Sequence, residues 1–297
     1  MISGTQCIII ILAVRFVQQY CSKRSSQLLP VTLFGNAKYF MITKLFASVF
    51  ALGALLISWD FSSFDVLTVV ISAVSGIMLV VSSVCSLYAI KSGTMALSSM
   101  FSTAGLIIPC IAGIFLYDEK MSLMQWLGVG VFFASSWLLI AASKKIYSGF
   151  SFKNLFLLIG SLVSNGITMM LQTVFKRTVP NGNVTMFSFL SFIVPALILL
   201  LSLEAFKIRK PSDCKEKLNS KLLIIAVISA GALFVVNQFA TIAADKVEPV
   251  ILFTFINGGN TIIAALIAAV FFKEKITVRS ALGLALGIIS LIIVKAF

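Results

Sequence analysis

The chain has 297 residues, of which 60% are apolar and only 11% charged. Its mean hydropathy of +1.09 lies far outside the range of a soluble domain and defines an integral membrane protein. Histidine is absent and the net charge is +13. The first fact removes the commonest metal ligand and general base; the second places basic residues between apolar runs, where they meet anionic lipid headgroups rather than nucleic acid.

Spanning about 30 Å of hydrocarbon takes roughly 20 apolar residues, and ten segments meet that requirement: 3–21, 40–59, 66–90, 94–116, 122–143, 152–175, 184–206, 220–243, 248–272 and 278–297. The expected fold class is an all-α integral membrane protein with ten transmembrane helices. The first run has no basic n-region and no small-residue cleavage site, so it reads as a retained helix. It carries Arg15, Gln18 and Gln19. Arg15 either neutralises an anionic substrate or snorkels to an interface about one or two turns away, and snorkelling is favoured.

Lys44 of the second run is expected to snorkel too, being only some four residues inside it. Tyr88, near the end of the third, reads equally as a gate or as a member of the interfacial aromatic belt. In the fourth run Ser98, Ser99, Ser102 and Thr103 share one helical face that Gly105 and Pro109 continue. The sixth run holds Asn165, Thr168 and Gln172, and the eighth Asn237 and Gln238. In the tenth, Gly283 and Gly287 have GxxxG spacing, with Gly128 and Gly130 a weaker version in the fifth. Close packing is expected of both, within the chain or in a homodimer. Five cysteines (Cys7, Cys21, Cys85, Cys110, Cys214) are scattered as small apolar packers without metal-ligand spacing.

The phrases "YDEKMSLMQWLG" (117–128) and "FKEKITVRSALG" (272–283) align at an offset of 155. At that offset Lys91 falls on Lys246, Leu97 on Leu252, Ile107 on Ile262, Glu119 on Glu274, Lys120 on Lys275 and Gly128 on Gly283. Gln19 in "QYCSKR" meets Gln172 in "QTVFKR". The chain therefore reads as two units, 1–147 and 148–297. Each holds five helices, an odd number, so the second enters the membrane from the opposite side as an inverted repeat. Ser99 maps to Thr254, Ser102 to Asn257 and Gly105 to Asn260, so a polar stripe recurs in the fourth and ninth helices. The acidic phrases mark water-facing bends, with Ser122 and Thr277 as N-caps of the next helices. No transport chemistry is assigned to their carboxylates.

An acidic-lysine phrase after the fourth helix of each half, followed by a small-residue helix ("EKMSLMQWLGVGV", "EKITVRSALGLALG"), resembles the EamA-type members of the drug/metabolite transporter superfamily over essentially the whole chain. The resemblance implies a secondary transporter in the cell (plasma) membrane, and leaves the substrate open among many metabolite classes. The superfamily's four-helix multidrug exporters depend on a first-helix glutamate. Here that helix has no carboxylate, only Arg15, which argues against export of lipophilic cations.

The expected activity is alternating-access transport of a small polar metabolite, with no catalytic residue, metal or cofactor. The expected substrate-binding residues are Ser99, Ser102, Thr254, Asn257, Asn260, Asn237, Gln238, Asn165, Gln172, Gln19, Arg15 and Tyr88. The alternatives are a translocase of a lipid-linked or amphipathic carrier and, less favoured, an intramembrane lipid-modifying enzyme. Basic residues number five on the side bearing the termini (Lys120, Lys176, Arg177, Lys246, Lys295) and 17 on the other, with Arg15 within helix 1. The positive-inside rule therefore places the termini outside, whereas the family resemblance implies the reverse.

Overall fold

A computed structural model describes residues 3–29, 32–58, 65–91, 101–141, 152–209, 219–273 and 277–296. These residues form helices and short connections, with no strand among them. Ten helices follow in order: α1 (Gly4–Leu28), α2 (Leu33–Ser58), α3 (Val66–Lys91), α4 (Ile107–Tyr117), α5 (Leu123–Ala141), α6 (Phe152–Thr178), α7 (Val184–Arg209), α8 (Ser220–Ala243), α9 (Pro249–Val270) and α10 (Val278–Ala296). Seven are long and apolar enough to cross a membrane, and three shorter apolar stretches accompany them, at Phe101–Tyr117, Leu123–Leu138 and Ala281–Ala296. Their outward faces carry Ile57, Phe115, Leu201 and Ile208, all well exposed, as a surface bathed in lipid requires.

Local chemistry fixes the helix ends. Ser3 opens α1 with a capping box, its Oγ accepting from Gln6 N while Ser3 N donates to Gln6 Oε1. Ser122 caps α5 in the same way with Gln125, which bears out that N-cap expectation. Thr277 O accepts from Ala281 N, the bond that starts α10. After α4 the chain turns at Asp118 (φ 53°), and after α9 at Lys273 (φ 52°); these are the left-handed non-glycine residues among those described, and they lie 273 − 118 = 155 positions apart. That spacing is the sequence offset itself.

The packing also pairs up. α5 lies along α10, α2 along α7, α1 along α8 and α3 along α6; α3 also touches α7 as α2 touches α8, and α1 crosses α9 as α6 crosses α4. Exchanging each helix with the one five later leaves these pairings unchanged. Within the α5–α10 pair, Ser135 Oγ donates to Gly283 O at 2.6 Å, and a Cβ at Gly287 would meet that same oxygen at 2.9 Å. The GxxxG glycines thus act within the chain, as backbone approach points.

Three expectations about the helices need correction. The first helix runs to Leu28 rather than 21. The second starts at Leu33 rather than 40, with Thr32 Oγ1 accepting from Gly35 N at its N-terminus. The fourth is interrupted: residues 101–104 are helical, a turn follows at Gly105–Leu106, and α4 proper begins at Ile107. There Gly105 N and Leu106 N bond back three residues, to Ser102 O and Thr103 O, a tightened 3₁₀-like step.

Candidate functional site

The expected polar residues are brought together chiefly where one half of the chain crosses the other. At the α1–α9 crossing, Gln19 Nε2 donates to Asn260 Oδ1 at 2.6 Å. At the α6–α4 crossing, Asn165 Nδ2 donates to Ser102 O at 2.7 Å. Ser102 takes part through its main-chain carbonyl, which also accepts from Gly105 N at the break in helix 4. The approach is close: a Cβ on Gly105 would lie 2.7 Å from Leu162 O and 2.9 Å from Gly166 N, both backbone atoms of α6.

Around these crossings the other amides form bonds of their own. Gln172 Nε2 donates to Asn237 Oδ1 at 2.9 Å, and Thr241 Oγ1 bonds the same Asn237. Gln238 is held by α7, its Nε2 donating to Thr185 Oγ1 at 2.7 Å and its Oε1 accepting from Ser188 Oγ at 3.1 Å. Asn257 Nδ2 donates to Phe253 O and approaches Met169 Sδ. Thr254 is fully buried and its Oγ1 has no partner. Tyr88 stands half-exposed near the end of α3, away from these contacts. Ser98 and Ser99 lie outside the described residues, as do Glu274 and Lys275.

The two cations of the first helices are placed differently from expectation. Arg15 is eleven residues past the first residue of α1 and thirteen before its last. At 1.5 Å per residue that is about 16–20 Å from either end of the helix. Its Nη1 donates to Gln18 Oε1 at 2.7 Å, while Nε is buried without a partner.

Lys44 is likewise eleven residues into α2 and only 7% exposed. It belongs to the inward stripe of Thr43, Ala47, Ser48 and Ala51, and its Nζ lies 5.4 Å from the centre of the Phe192 ring on α7. The reading of Lys44 as an interfacial anchor is therefore corrected, and with it the charge count, which falls from 17 to 16 on the side opposite the termini. The two cations are close enough for their charges to act on each other. A cation within a membrane bundle is costly and marks a functional candidate.

Sequence reasoning missed Lys44, Phe192 and the α7 hydroxyls of Thr185 and Ser188. The available signal was Thr32, a capping residue type at the N-terminus of α2.

Near the ends of the helices, Glu119 pairs with Arg177 at the end of α6, and Arg177 stacks 4.3 Å over the Tyr117 ring. An apolar groove of about 480 Å³ runs between α9 and α10, lined by Phe255, Ile288, Leu291 and Ile292 with Lys295 at its end. It reaches none of the polar residues above.

Seven helices long and apolar enough to cross a membrane define a multi-pass membrane protein. The EamA-like transporter family model matches residues 152–296, in line with the resemblance, and points to a membrane transporter. No curated protein matches the chain. A solved structure titled only "Crystal structure of protein" superposes with a TM-score of 0.77 over 99% of this chain and 96% of its own, at 13% identity. That likeness carries the fold alone.

Proposed function

We propose that the chain is a secondary transporter that moves a small polar metabolite by alternating access between two inverted five-helix repeats. The observation that carries this reading is the pair of amide bonds at equivalent crossings, Gln19–Asn260 between α1 and α9 and Asn165–Ser102 between α6 and α4. The turns at Asp118 and Lys273, spaced by the repeat offset, support the duplication. Amide bonds between membrane helices are worth only about 0.6 kcal/mol each, so they can be exchanged for substrate contacts as one half rocks against the other. The amides of Asn237, Gln172, Asn257 and Gln238 and the hydroxyl of Thr254 supply further donors and acceptors.

Uptake into proteoliposomes tests this reading, using the solute that most stabilises the purified protein. Gln19→Ala and Asn165→Ala should each lower the initial rate at least tenfold while the protein still inserts and melts cooperatively. Wild-type rates in both variants would remove the seam from the mechanism. Ser102→Ala is the informative control, because its main-chain carbonyl persists and uptake should be retained. A second reading, translocation of an amphipathic carrier, is favoured by the lipid-facing α9–α10 groove with Lys295 at its end; an acyl-chain analogue competing for uptake would support it.

A further inference from the structure

Arg15, part-buried in α1, and Lys44, buried in α2, lie in helices that hold no acid. The described acids lie elsewhere: Asp65, Asp118, Glu119, Asp245 and Glu248 fall between helices, and Glu204 is five residues before the last residue of α7. Among the described acids, Glu119 and Glu204 are already paired, with Arg177 and Lys207. Lys44 Nζ stands over Phe192, which packs with Ala47, Ala230, Leu233 and Phe234. Gln238 is held by Thr185 and Ser188, one turn before Phe192.

We propose that Arg15 and Lys44 form a mid-membrane anion site, and that the transported solute carries a carboxylate or phosphate group seated between them. This rests on the transporter reading above and deepens it by naming the charge of the substrate. Arginine offers five donors in a planar fork, of which Nη1 is engaged and buried Nε is unpartnered, a geometry suited to carboxylate and phosphate oxygens. Lysine adds a compact charge, held over the Phe192 face. Two cations whose charges act on each other select against a cationic solute and for an anion, up to a dianion that leaves the occupied site neutral. One turn beyond Arg15, Gln19 reaches Asn260 on α9.

The test uses the full chain in nanodiscs of phosphatidylcholine, with thermal unfolding as readout. The probes are succinate and glycerol 3-phosphate, their uncharged counterparts dimethyl succinate and glycerol, and the dication putrescine. At least one anionic probe should raise Tm saturably and its uncharged counterpart should not. Arg15→Gln and Lys44→Met should each raise the apparent Kd tenfold or more, and Lys221→Met, the same charge change at an exposed helix end, should leave it within twofold. Without ligand, Lys44→Met should melt no lower than wild type, because it removes an uncompensated buried charge.

The proposal is overturned if no anionic probe stabilises the wild type, if an uncharged probe or putrescine does so instead, or if the variants bind as the wild type does. Replacing part of the phosphatidylcholine by phosphatidylglycerol separates the two sources of phosphate. Stabilisation by that lipid alone, lost in Lys44→Met, keeps the anion site and assigns it to a headgroup. Proteoliposome uptake is read separately: anion binding without uptake sinks the transporter reading and spares the site, whereas uptake of an uncharged solute without anion binding does the reverse.

Discussion

Replacing Gly105 by alanine tests how tightly the two halves meet. The new Cβ would lie 2.7 Å from Leu162 O and 2.9 Å from Gly166 N, well inside the roughly 3.5 Å of an ordinary carbon contact. Both obstructing atoms are α6 backbone, so no rotamer change relieves the clash. Helix 4 must instead back away by roughly 0.5–1 Å, which stretches the Asn165 Nδ2–Ser102 O bond from 2.7 Å to the edge of hydrogen-bonding range or past it. Overpacking costs about 1–3 kcal/mol and the lost interhelical bond about 0.6 kcal/mol, for a total of roughly 2–4 kcal/mol. At roughly 2–4 °C per kcal/mol for a chain of this order, Tm should fall by about 5–15 °C.

The matched control is Gly53→Ala in the middle of α2, where a Cβ meets nothing within 4 Å. There the gain in helix propensity of about 0.5–1 kcal/mol should leave Tm unchanged or slightly raised. Unfolding can be followed with a thiol-reactive fluorophore, because Cys7, Cys21 and Cys110 are buried until the bundle opens. A Gly105→Ala variant melting within about 2 °C of wild type, or an equal drop for Gly53→Ala, would refute close backbone packing at this crossing.

Ser122→Ala removes the hydroxyl half of the α5 capping box and should cost about 1 kcal/mol, read as a lowered Tm with uptake kinetics unchanged. Arg177→Lys keeps the charge beside Glu119 but loses the planar stack over Tyr117; it should destabilise by about 1 kcal/mol, and an unchanged Tm would show the stack to be idle. For orientation, 16 basic residues against five place the connector containing Cys214 on the cytoplasmic side. An impermeant maleimide should therefore leave Cys214 unlabelled on intact cells and label it after permeabilisation; labelling of intact cells would reverse the assignment.

The positions of the amides were legible in the sequence because an amide in an apolar run stands out by composition alone. Gln19, Asn165, Gln172, Asn237, Asn257 and Asn260 all sit inside helices as expected. Their partners were not legible. Which amide reaches Asn260 depends on how α1 crosses α9, and Asn165 bonds a main-chain carbonyl, Ser102 O, that also accepts from Gly105 N at the break in helix 4. The stripe equivalence of Ser102 and Asn257 suggested two side chains with one role; in the fold, one acts through its backbone and the other bonds within its own helix and toward Met169.

By itself, the sequence pointed to a membrane protein of ten helices, with two phrases repeated at an offset of 155 residues. These follow from the length of hydrocarbon to be crossed and from repetition along one dimension. Only the tertiary structure decided the depth and company of the charges. Arg15 and Lys44 read as near-interface residues while the helix ends were drawn at 21 and 40. Capping and packing extend α1 to Leu28 and start α2 at Leu33, so both fall at mid-helix. What surrounds each cation, Gln18 for Arg15 and the Phe192 ring for Lys44, is set by helix packing that composition does not record.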